Sequence, residues 1–233
     1  MAATLTQGIA EVRSLIDEPV PQFWSNAELT SWINAACSEI QRTVEWAQKG
    51  PTPVAAVAAQ QMYLCPPDLL RLHRLEFVPT NNLAYTYSLE FRGYNEMDAA
   101  WGNLKSLPSA YPEQFTLWNN PDNSGIAVRG LTIVLYPVPA VAGTLNLYYF
   151  RAIAPVALAS DFIDVLPGWE TVVYNWVAYR AFRKDADPRW RDFQQEYLAQ
   201  LEGMKTVSRT YTDQANWFST GAQNYNPLFL ELD

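Results

Sequence analysis

The chain has 233 residues, 49% of them apolar and 17% charged, with 16 basic against 24 acidic side chains for a net charge of −8. That is charge-poor beside the usual quarter, yet apolar enough to bury a sizeable core without staples, which excludes a disordered chain, a collagen and a disulfide scaffold. The acid excess also excludes a nucleic-acid clamp run on bulk positive charge, because an acidic surface repels a phosphate backbone.

In chain order, Leu5, Ile9, Val12 and Ile16 recur at helical spacing, and Pro19 and Pro21 are expected to end that helix. Ser25 and Glu28 have the spacing of a capping box. The helix that follows places Leu29, Trp32, Ile33, Ala36, Cys37, Ile40, Val44 and Ala47 on one stripe, with Gly50-Pro51 as its stop. Strands are then expected over 61–64, 71–78, 85–91, 113–118, 125–128, 131–136 and 144–151, and a short helix over 95–104. Asn119 to Gly125 has strong turn chemistry. Residues 130–150 carry no charge, but Pro137, Pro139 and Gly143 make this two strands joined by a turn rather than a membrane helix. Helices return at Leu166-Pro167-Gly168-Trp169-Glu170, with Trp169, Val172, Val173, Trp176, Val177 and Phe182 on an apolar face. Asp187-Pro188 then opens a helix carrying Trp190, Phe193, Tyr197, Leu201, Met204 and Val207.

The fold class expected is α+β, a helical bundle with an inserted antiparallel sheet or small barrel and an extended C-terminal tail. Its parts are N-terminal helices over 1–50, a β-rich insertion over 51–159, C-terminal helices over 160–209 and a partner-binding tail over 210–233. The tail lacks a helical period and mixes polar residues with aromatics, so it is disordered, folds on a partner, or packs back on its own domain. Where it folds on a partner, its aromatic and aliphatic side chains are anchors.

The search for chemistry yields little. The chain has no GxSxG elbow, P-loop, GxGxxG or HExxH. His73, the single histidine, falls in an expected strand with no nucleophile nearby. Cys37 and Cys65 are not at zinc spacing and read as small apolar residues of a reducing compartment. The carboxylate pairs Asp17/Glu18, Glu96/Asp98, Asp161/Asp164 and Asp185/Asp187 sit beside helix boundaries, where acids complement the helix dipole, rather than across a glycosidase cleft. Asp122 to Gly125 lacks the ligand pattern of a calcium loop. No catalytic residue, cofactor or metal is assigned. Arg180, Arg183, Lys184, Arg189 and Arg191 form the one basic cluster, readable as a solvated helix end or as a contact patch for an acidic partner or DNA.

The order of motifs carries a resemblance. Asp17-Glu18, then Phe23-Trp24-Ser25-Asn26-Ala27-Glu28-Leu29, then Trp32 to Ala36, resembles the N-terminal signature of tailed-phage head-to-tail adaptor (connector) proteins. Tyr63-Leu64-Cys65-Pro66-Pro67-Asp68-Leu69-Leu70, Tyr111 to Phe115, Leu135-Tyr136-Pro137-Val138-Pro139, then Leu145, Leu147 and Tyr149, and Val165 to Trp169 continue it, over roughly residues 10–205. The resemblance implies a structural virion protein without enzymatic activity, made in the host cytoplasm and placed in the neck. It implies a homo-oligomeric ring, typically twelve-fold, between the capsid portal and a downstream neck or tail protein. Double-stranded DNA would pass through it without sequence-specific binding, and no membrane is involved. The ring would extend the DNA channel and help retain packaged genome until ejection. A C-terminal segment of the family often docks on the portal, which makes Trp217, Phe218, Tyr225, Leu228, Phe229 and Leu230 the expected portal-binding residues. A stopper or tail terminator is the nearest alternative. A glycan-binding module built on Tyr85, Tyr87, Tyr94, Tyr111 and Trp118 is a more distant one.

Overall fold

The computed structural model describes residues 2–101, 111–120 and 130–223, and it is α+β. The strand expected over 125–128, most of the 119–125 turn and the end of the 95–104 helix lie outside the described residues. Two compact units divide the chain, one made of the segments up to Ala47 and from Ile153 onward, the other of Gln48–Ala152.

The helical unit begins with α1 (Leu5–Leu15). Thr4 caps it through a complete capping box, its hydroxyl accepting from the Gln7 N–H while the Gln7 side chain accepts from the Thr4 N–H. The helix ends at Leu15, ahead of the prolines, because Asp17 takes a left-handed turn at φ 58°. Helix α2 (Asn26–Thr43) buries Leu29, Ile33, Ala36, Cys37 and Ile40. Ser25 caps it by accepting from the Glu28 N–H, but only half of the expected box forms, because the Glu28 carboxylate is taken by Lys184 at 2.5 Å.

Helix α4 (Glu170–Lys184) packs against α1, α2 and the following α5 (Trp190–Gln223). Surrounded this way, α4 is buried beyond the single face expected, and Tyr174, Asn175, Ala178, Tyr179 and Ala181 are all interior. Asp187 caps the turn into α5, its carboxylate accepting from the Arg189 N–H at 2.9 Å. Tyr197, Leu201 and Met204 face the core, and the Ser208 hydroxyl donates to the Glu45 carbonyl.

The extended tail expected from 210 is corrected over its first part. Helix α5 continues through Gln223, so residues 210–223 have helical backbone. The physical reason is that lengthening an existing helix costs far less than nucleating one, and no proline interrupts it before Pro227. Residues 224–233 lie outside the described residues.

The β unit is two sheets over one core, and the small-barrel alternative is not what forms: no closed barrel is present among the described residues. The first sheet has the order β1 (Gln48–Ala56), β8 (Gly143–Arg151), β3 (Leu69–Pro79), β4 (Tyr87–Ser88), antiparallel throughout. The second has the order β2 (Met62–Leu64), β7 (Gly130–Tyr136), β6 (Gln114–Asn120), β5 (Glu90–Phe91), with β5 and β6 parallel. Helix α3 (Tyr94–Trp101) follows β5. Leu75, Phe77, Leu145 and Leu147 from the first sheet share a core with Tyr63, Phe115, Ile133 and Leu135 from the second. Each such side chain removed from water contributes about 1.5–3 kcal/mol.

Two local readings change. The expected helix stop Gly50-Pro51 lies inside β1, and α2 has already ended at Thr43. Strand β1 has little strand propensity, but it is an edge strand, where proline's missing N–H is tolerated. Gly50 is required there: its φ is 151°, and a Cβ would meet the Leu147 carbonyl oxygen at 2.8 Å. The uncharged 130–150 stretch does form two strands, but they belong to different sheets, so the Pro137–Gly143 turn carries the chain from one layer to the other. Among the described residues no helix is long and apolar enough to cross a membrane.

Candidate interaction surface

The motif from Asp17 to Trp32 folds around one buried ion pair. Arg13, on the last turns of α1, is 5% exposed and faces Glu18, 9% exposed, at 3.4 Å. Glu18 Oε1 accepts from the backbone N–H groups of Gln22 (2.6 Å), Phe23 and Trp24 (3.1 Å). Arg13 donates to the Trp24 carbonyl at 2.8 Å, the Asn26 side-chain oxygen at 2.7 Å and the Glu18 carbonyl at 3.4 Å. Burial works to raise the Glu18 carboxyl, but the N–H groups of Phe23, Trp24 and Gln22 and the Arg13 charge outweigh it and hold the group below the usual carboxylate range. Nearly every polar group of the loop is therefore fixed, while its apolar tips, Val20 and Phe23, are 59% and 67% exposed.

The basic cluster lies beside this loop, laminated onto aromatic rings. Lys184 Nζ sits 4.8 Å from the Trp24 ring and 5.6 Å from Trp32. Arg180 covers Trp176 at 5.1 Å, and Arg183 covers Tyr179 at 5.8 Å and donates to its hydroxyl at 2.6 Å. Arg189 covers Phe182 at 4.2 Å and bridges Asp187 (2.9 Å) and Asp17 (2.8 Å). Arg191 lies 5.4 Å from the Trp190 ring. Glu28, Trp32, Arg180, Arg183 and Lys184 line a depression of about 470 Å³. Arg180 and Arg183 have no carboxylate partner among the described residues, although acids outnumber bases in the chain. The five cations thus mix solvated, ring-supported groups with ion-paired ones, and a cation held on a desolvated ring is worth about 0.5–2 kcal/mol. The sequence cue to this surface was the basic cluster Arg180, Arg183, Lys184, Arg189 and Arg191 itself. What sequence reasoning missed is the buried Arg13–Glu18 pair that positions Phe23.

Of the expected portal-binding residues, Trp217 and Phe218 lie on α5, and Tyr225, Leu228, Phe229 and Leu230 lie outside the described residues. His73 is exposed at a bulge of β3, with its ring 6.4 Å from Phe150. Burial pushes the Cys37 thiol up to about 12, with Asp164 adding to it, and the Cys65 thiol up to about 11. Both cysteines are free, and neither is a nucleophile at neutral pH. No cluster of three metal-ligating side chains occurs among the described residues. Among the aromatic rings of the β unit, Tyr87 stacks on Tyr111 at 4.9 Å, and Tyr94 meets Trp118 at 54°, so Tyr94 and Trp118 do not share a plane.

The surface thus combines apolar tips on a fixed loop with ring-supported cations. The sequence model of the SU10 adaptor protein family matches residues 3–223. No curated protein matches the chain.

Proposed function

We propose, from the premise that the chain belongs to the SU10 adaptor protein family, that it is a head-to-tail adaptor joining the capsid portal to a downstream neck or tail protein. The family is one of structural phage adaptors, and the chain is a virion component of that kind. In this reading copies of the chain form a homo-oligomeric ring in the neck, of about the portal's own stoichiometry. The ring extends the DNA channel and helps retain the packaged genome. The net charge of −8 supports a conduit that double-stranded DNA crosses without sticking. The segment 210–233 docks on the portal, with Trp217, Phe218, Tyr225, Leu228, Phe229 and Leu230 as anchors. Its helical backbone through Gln223 supports a rod-like first half for that contact. The β unit faces the neck or tail component.

The single observation carrying the reading is the match across residues 3–223, which spans both units instead of one. The test is the native mass of the chain mixed with the portal of the same phage. A discrete complex adding about one copy per portal subunit is expected. Truncation after residue 209 should abolish it. Full-strength binding by the truncated chain would sink the anchor assignment, and no association of the intact chain would sink the adaptor reading.

A further inference from the structure

The helical unit has two different ends. Helices α1 and α4 both start at one end and finish at the other, about 16 Å and about 22 Å away at 1.5 Å per residue. The finishing end carries the rigid loop with Val20 and Phe23 exposed, and beside it Arg180 and Arg183 without carboxylate partners among the described residues. The starting end carries a pocket of about 520 Å³ lined chiefly by Trp46, Phe162, Ile163, Val165 and Pro167, with Ala2 at its edge. The Leu5 N–H donates to the Asp161 carbonyl at 2.8 Å, which ties that pocket to the start of α1.

The two ends complement each other in three independent ways. In shape, one offers an apolar projection and the other an apolar recess, whose Phe162 is 63% exposed. In charge, the pocket is lined by Asp161 and by Asp164, the latter already engaged within the chain, and by no basic residue, opposite the arginine end. In hydrogen bonding, Trp46 Nε1 is buried without an acceptor, while the segment Pro19-Val20-Pro21 offers carbonyls and, at its two prolines, no competing N–H. One copy cannot join its own ends, since a helix separates them.

We infer that the Val20/Phe23 loop of one copy seats in the Trp46/Phe162 pocket of a second copy, with Arg180 and Arg183 facing the Asp161/Asp164 side. The occupant is a second copy because both halves of the fit, including its charges, are on this chain. Such a contact is heterologous, so it repeats from copy to copy and forms a ring when the rotation between copies closes. The inference rests on the ring reading proposed above and gives it a specific subunit contact. Glu18 and Arg13 are positioning residues here, since they fix the loop before the partner arrives and reduce the ordering cost of association.

The experiment uses the full chain and two exposed-site variants, Phe23→Asp and Phe162→Asp, each first shown by circular dichroism and thermal melting to fold as wild type. Sedimentation velocity then reads self-association. The wild type is expected to form species larger than a dimer. Each variant alone is expected to be monomeric, with self-association weakened at least roughly thirtyfold, the loss expected of a central hot spot. A mixture of the two variants keeps one intact loop and one intact pocket, so it should give a 1:1 dimer that grows no further. Wild-type oligomers that both variants leave unchanged would overturn the inference and leave the ring reading standing. So would a wild-type chain that is monomeric alone, yet joins the portal equally well with either substitution. A chain that neither self-associates nor binds the portal overturns both.

Discussion

Two ion pairs, one in each unit of the chain, sit in opposite surroundings. In the helical unit the Arg13–Glu18 pair is interior, about one-twentieth to one-tenth exposed, and organises a loop whose apolar side chains face solvent. The β unit has an interior carboxylate of its own, Glu76, which is 7% exposed and paired with Arg74, but its Lys49–Asp68 pair, 2.7 Å long, lies on the surface with side chains 45% and 31% exposed. Charge inside with apolar tips outside is the arrangement of a preorganised contact. An exposed pair is screened by water and organises little around it. The difference separates a loop whose shape is fixed from inside from an exposed pair that adds little beyond solubility.

The sharpest way to break that comparison is Arg13→Ala. It leaves Glu18 buried without its counter-charge and removes the donors serving the Trp24 carbonyl and Asn26. A loss of about 3–5 kcal/mol is expected, a large part of a typical stability of about 5–15 kcal/mol. Urea denaturation followed by tryptophan fluorescence is the suitable measurement, because seven of the nine tryptophans lie in the helical unit. A loss under about 1 kcal/mol would put the pair in the surface class and remove the contrast.

Next in size is the acid limb of the stability curve. Glu18 is held below its ordinary range in the folded chain. A depressed carboxyl contributes stability that is complete above the unfolded value, about 4.3, and disappears as pH falls through the folded value. The wild type should therefore lose stability below about pH 4.3 more steeply than Glu18→Gln, whose curve starts lower at neutral pH and is flatter. Parallel curves for the two proteins would show that Glu18 is not the titrating group.

Much of this was legible in the sequence, and the reasons differ by element. Helix α2 and strand β8 were readable because their apolar residues repeat at the period of the structure they form, and β7 because it is a short β-branched and aromatic run bounded by turn residues. Strand β1 was not, since Gly50, Pro51 and Pro53 argue against a strand and only its edge position permits them. The continuation of α5 past residue 209 was missed because helix elongation needs no amphipathic period once the preceding turns exist. The basic cluster was visible as a run of residues. The Arg13–Glu18 pair was not, because a single arginine on an amphipathic helix gives no sign of being interior; the signal available was Arg13 at helical spacing from both Ile9 and Ile16, within the apolar stripe, followed five residues later by an acid and then two prolines.

The smallest expected effect completes the comparison from the other side. Lys49 Nζ pairs with Asp68 at 2.7 Å and lies 5.7 Å from the Tyr149 ring, and hydrogen bonds to Asp68 and Tyr149 raise the lysine's pKa. Those observations alone would suggest a strong interaction. The exposure of both side chains argues the reverse, since water screens the pair and both chains lose rotamer freedom in making it. Asp68 also keeps a second partner, the Tyr149 hydroxyl, which donates to it at 2.8 Å, so removing the lysine leaves no orphaned carboxylate. Lys49→Gln should therefore leave the urea midpoint of the β unit, read by circular dichroism in the β region, within the scatter of ordinary surface substitutions. Raising the salt concentration should move the wild type and the variant together. A Lys49→Gln loss as large as that of Arg13→Ala would mean that pairing geometry outweighs burial in this chain, and the division of roles between the two units would then have to be drawn from shape alone.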